Sequence, residues 1–70
     1  MQYRIASKIS GDESHHARTY DEYYDCMRAL YRYENVLRQD DVAATIWVQM
    51  KGMSEEIEWD DLEGTAVDIN

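Results

Sequence analysis

The sequence predicts an α+β fold of order β-α-β-β, with one amphipathic helix packed on one face of a three-stranded sheet. Three observations carry that prediction. Residues 2–9 and 43–50 alternate apolar with polar side chains, the period of a half-buried strand. Residues 19–38 place apolar side chains at helical spacing. A short alternating stretch at 56–60 follows the second strand after a brief break.

In the first strand Tyr3, Ile5 and Ile9 fall on one side, and Gln2, Arg4 and Lys8 on the other. The polar run 10–16, Ser-Gly-Asp-Glu-Ser-His-His, reads as the loop that ends it. Thr19-Tyr20-Asp21-Glu22 then matches a capping box, with the Thr19 hydroxyl accepting from the Glu22 N–H and the Glu22 carboxylate reaching back. On a helical wheel Tyr20, Tyr23, Tyr24, Met27, Leu30, Tyr31 and Leu37 share a sector, with Cys26 at its border and Tyr33 outside it. Glu34 lies within that sector and has Arg38 four residues on, the favoured orientation for an ion pair. Gln39-Asp40-Asp41 closes the helix.

In the second strand Ala44, Ile46, Val48 and Met50 form one face, and Thr45, Trp47 and Gln49 the other. Residues 51–54 form a turn. In the third strand Ile57 and Trp59 point inward, and Glu56, Glu58 and Asp60 outward. Val67 and Ile69 keep period two, as a fourth short strand or as loose chain. If the first two strands are neighbours, a right-handed crossover makes them parallel. If the third lies between them, the sheet is antiparallel, and outward-facing Trp47 and Glu58 favour this second arrangement with one face open.

Seventy residues allow one domain with a small core. A domain of this size commonly draws support from a disulfide, a metal or a partner. A single cysteine forms no internal bridge, so docking on a larger protein or homodimerisation is the available support. The lone Cys26, and a start that passes straight into alternating sequence without a basic segment and apolar run, predict a cytoplasmic protein with no membrane attachment.

Net charge is −8, and residues 55–70 carry seven acids with no base. That field repels phosphate backbones and attracts basic protein surfaces, so direct nucleic-acid binding is not expected. His15-His16 beside Asp12 and Glu13 lacks a distant third ligand for a metal, and reads as solvated loop. Cys26 with a histidine does not make a nucleophile pair, because a packed mid-helix thiol is inert and no oxyanion donors accompany it. The acidic run 55–63 does not fit a calcium-binding loop. The expectation is a non-enzyme without cofactor or metal.

The acids at Glu56, Glu58 and Asp60 stand on alternate positions, about 6.5–7 Å apart in a strand. That spacing is close to the step between successive phosphates along one nucleic-acid strand. With the chain's size and charge, this row resembles the small acidic inhibitors encoded by phages and other mobile elements. These include anti-CRISPR proteins, restriction inhibitors and uracil-DNA glycosylase inhibitors, several of which mimic DNA. The resemblance implies an inhibitor that occupies a basic, normally nucleic-acid-binding surface of a larger protein. Glu56, Glu58, Asp60, Asp61 and Glu63 would supply charge, with Trp47 and Trp59 as anchors and core burial the alternative for Trp59. Four arginines on or beside the helix make that side mixed, which confines the likeness to a one-sided acidic patch. The second reading is a structural or homodimerising accessory subunit whose charge serves solubility.

Overall fold

Residues 1–52 and 58–70 are described by a computed structural model of the chain. The alternating first segment is β1 (Gln2–Ile9), and it does not end in a loop. Ser10 and Gly11 both adopt positive φ (53° and 83°), the requirement of a two-residue type I′ turn. The chain therefore folds back at once as β2 (Asp12–His15), pairing Ile9 with Asp12 and Ala6 with His15. Beyond β2 it keeps following β1: His16 N–H donates to the Ile5 carbonyl, and Tyr3 and Tyr20 exchange both backbone bonds at 2.8 Å. The predicted loop is thus a full traverse of the sheet edge.

That extra traverse fixes the sense of everything after it. The helix α1 (Tyr23–Gln39) starts at the Tyr3 end of β1 and returns the chain to the Ile9 end. The next strand, β3 (Ala44–Lys51), therefore runs down β1 in antiparallel register, from Ile9↔Ala44 to Gln2↔Lys51. β1 and β3 are direct neighbours without being parallel, contrary to the crossover argument, because the hairpin had already reversed the chain once. On the far side of β3 lie β4 (Asp60–Asp61) and β5 (Val67–Ile69), both antiparallel to it. The fold is α+β as predicted, but among the described residues its antiparallel sheet has five strands, not three, ordered β2-β1-β3-β4 with β5 also on β3.

Helix α1 begins later than the capping box implied. Its N-cap is Glu22, with extended backbone and no side-chain cap bond, while Thr19 lies in the segment held against β1. At the other end Asp41 takes φ 55°, Val42 N–H donates to Leu37 O and Asp41 N–H to Arg38 O. This is the Schellman arrangement, and Val42 and Leu37 supply its apolar contact.

The core lies between α1 and one sheet face: Cys26, Leu30 and Leu37 meet Ile5, Ile46, Val48 and Ile69. The buried helix sector is turned roughly 70° from the one the wheel suggested. Tyr24 and Tyr31 are exposed, at 77% and 52%, whereas Cys26 is fully buried. Tyr33, expected off the apolar face, packs against the core and meets the His16 ring edge-on at 4.6 Å. The predicted Glu34–Arg38 ion pair is present at 2.8 Å.

Candidate partner-binding face

Antiparallel register decides which side chains meet on the sheet face away from α1. Directly paired residues share a face, so Arg4 stands beside Gln49, Ala6 beside Trp47 and His15, and Lys8 beside Thr45 and Glu13. Ala6 is small, and the hollow of about 250 Å³ above it is lined by Arg4, Glu13, His15, Trp47, Gln49 and Asp61. Among the described residues this face carries no helix, since α1 packs on the other one.

A chain of polar contacts crosses this face. Arg4 Nε donates to Gln49 Oε1 at 2.8 Å, and Gln49 Nε2 donates to Asp61 Oδ1 at 2.9 Å. Trp47 Nε1 donates to the same oxygen at 2.7 Å. The bond from Gln49, then that from Trp47, holds the Asp61 carboxyl below its ordinary value of 3.8. The Arg4 guanidinium lies 4.2 Å from the centre of the Trp59 ring, a cation–π distance.

The two tryptophans proposed as anchors therefore both stand half-buried in this region. Trp59 is not part of the buried core; it rests on Arg4. Of the acids, Glu58, Asp60, Asp61 and Glu63 are all exposed. Glu56 and Ile57 lie outside the described residues. The expected strand over 56–60 is not formed at its described end, since Glu58 and Trp59 precede β4. Asp60 and Asp61 are successive strand residues and point to opposite faces, and Glu63 sits in the turn that follows. The acids thus surround the sheet edge instead of forming one straight row.

That edge is built around Thr65. Between β4 and β5 the chain leaves β3, with Gly64 at φ 82° making the turn. Leu62 N–H donates to Val48 O at 2.9 Å, and the Thr65 hydroxyl accepts from Val48 N–H at 3.0 Å while donating to Leu62 O at 2.7 Å. One side chain thus stands in for a strand partner, which fixes the acidic turn to the sheet.

Arg4, Gln49 and Thr65 were not singled out by sequence. Arg4 and Gln49 are 45 residues apart, and only the register of β1 on β3 joins them. Cys26 has no place in this region: burial pushes its thiol up to about 11. Among the described residues no group of three metal-ligating side chains occurs, and no helix is long and apolar enough to cross a membrane. Comparison with protein-family models, curated proteins and solved structures finds no significant match to this chain.

Proposed function

We propose that this protein is a non-catalytic binding module whose acidic edge docks on a basic surface of a larger protein, of the kind that otherwise holds nucleic acid. The observation that carries the reading is the state of the acids around β4. Glu58, Asp60, Asp61 and Glu63 are exposed, and none of them forms an ion pair among the described residues. The pairs that do form, Asp25–Arg28 and Glu34–Arg38, both lie on the helix. Unpaired carboxylates on a sheet edge keep their charge available to a partner's cations. Asp61 is moreover held in place by Trp47 and Gln49, so less side-chain freedom is lost when it is engaged. Inhibition of a nucleic-acid-binding protein, as in anti-CRISPR or restriction-inhibitor proteins, is the biological setting this chemistry suits.

The second reading, a homodimerising or structural subunit, draws on a different surface. Tyr24 and Tyr31 stand two turns apart on one helix flank and are largely exposed. Exposed aromatic rings at that spacing suit a protein interface.

The test starts from a nucleic-acid-binding protein captured by the chain and then purified. Glu58→Lys, Asp60→Lys and Glu63→Lys together should abolish binding, and Asp21→Lys with Asp40→Lys should not. Duplex nucleic acid should compete, and affinity should fall steeply with salt. Binding that survives the triple reversal at full strength would overturn the reading. Sedimentation of the chain alone, with Tyr24→Ser and Tyr31→Ser, decides the dimer.

A further inference from the structure

The helix side opposite the acidic edge carries a cluster of arginines that the proposed docking does not use. Arg28 and Arg32 are one turn apart on α1, where like charges oppose each other. Arg18 joins them from the segment that runs beside β1. That segment is pinned by the His16–Ile5 bond at one end and the paired Tyr3–Tyr20 bonds at the other. Arg18 is further held by the Tyr20 ring, whose centre lies 4.9 Å from the guanidinium carbon. Tyr20 itself packs against the core, so this wall of the cluster is rigid.

Between these side chains is a hollow of about 330 Å³, lined by Arg18, Tyr20, Asp25, Arg28, Ala29 and Arg32. Its floor is open because Ala29 is small. Asp25 pairs with Arg28 at 2.5 Å, and neither Arg18 nor Arg32 has a carboxylate in ion-pair range among the described residues. Three guanidinium groups against one carboxylate leave the lining at +2, on a chain whose net charge is −8.

We propose that this hollow binds one phosphate group, free or carried as a monoester, held by Arg18, Arg28 and Arg32. A phosphate near neutral pH approaches two negative charges and matches the +2 lining. Guanidinium forks suit its oxygens better than ammonium groups would. Extended polyanions are excluded by the same geometry: beyond the hollow they meet the acidic field of the rest of the chain, whereas a single phosphate stays within about one Debye length, roughly 8 Å, of the arginines. Asp25 sits at the rim, and a bound phosphate competes with it for Arg28.

The site needs no protein partner, so its test is separate from that of the acidic edge. Inorganic phosphate is titrated into the isotopically labelled chain at constant ionic strength, with backbone and arginine side-chain N–H signals followed. Saturable shifts are expected at Arg18, Tyr20, Ala29 and Arg32. O-phospho-L-serine should move the same signals, and tighter binding by it would identify a carried phosphate as the source; acetate should not. Arg18→Gln with Arg32→Gln should weaken binding by about tenfold or more, while Arg38→Gln, which removes the charge paired with Glu34, should leave it unchanged. If the double variant loses its folded spectrum, Arg32→Gln alone makes the same comparison at one exposed position. Shifts that never saturate, that acetate reproduces, or that survive Arg32→Gln unchanged would overturn the site.

Discussion

The Trp47 indole and the Asp61 carboxylate meet at 2.7 Å across neighbouring strands, which puts the fluorescent ring in direct contact with an exposed acid. Gln49 donates to the same oxygen, and Arg4 donates to Gln49 in turn. The acidic edge is thereby tied to the centre of the open sheet face.

Acid titration of Trp emission tests that tie. Hydrogen bonds from Gln49 and Trp47 hold the Asp61 carboxyl below 3.8, so its titration is displaced toward lower pH. A depressed pKa contributes stability that is present above the unfolded value, and that is lost as pH falls through the folded one. Emission should therefore change with a midpoint below 3.8, in a step that Asp61→Asn removes. Trp59 emits as well, which makes the difference between the two titrations the quantity to read. A midpoint at or above the ordinary value would separate Asp61 from Trp47 in solution.

The helix start offers a second check, because sequence and structure disagree there. Thr19 belongs to the segment beside β1 and makes no cap bond, so Thr19→Ala should change the stability read from urea unfolding by less than about 0.5 kcal/mol. Glu22 is the N-cap and lacks a side-chain bond to the exposed helix N–H groups. Glu22→Ser or Glu22→Asp should supply one and stabilise the fold by about 0.5–1 kcal/mol. A loss near 1 kcal/mol on Thr19→Ala, with no gain at Glu22, would restore the earlier start.

These two sites also show what the sequence could carry. Ile5, Ile46 and Val48 are legible because burial on one face imposes a period of two, and the core confirms them. Asp12, Glu13, Ser14 and His15 are all exposed, so β2 leaves no such pattern. It forms through backbone pairing after a Ser10-Gly11 turn, and that turn was the available signal. The rotation of the helix is not legible on a wheel because tyrosine counts as apolar yet tolerates water. Tyr24 and Tyr31 took that tolerance, while Cys26 and Tyr33 occupy the buried side. Trp47 and Asp61 could each be singled out from type and charge. That they touch, and that Arg4 and Gln49 join them, depends on a register fixed by pairing across the sheet.

Thr65 gives the last and sharpest test, since it links the acidic turn to the core through one oxygen. The residue is 3% exposed, and its hydroxyl accepts from Val48 N–H and donates to Leu62 O. Thr65→Val keeps the shape but removes both bonds, leaving a buried backbone donor without a partner. That change should cost about 2 kcal/mol, the penalty for an unpaired buried polar group plus the lost bond. Thr65→Ser keeps the hydroxyl, so it should recover most of the loss despite one missing methyl group. The local consequence matters more than the global one. With its anchor gone, the turn carrying Glu63 should exchange the Leu62 amide hydrogen faster, while the amides of β1 keep their protection relative to global unfolding. Equal stability of Thr65→Val and the parent chain would mean that water replaces the hydroxyl, and that the edge is not fixed by this residue.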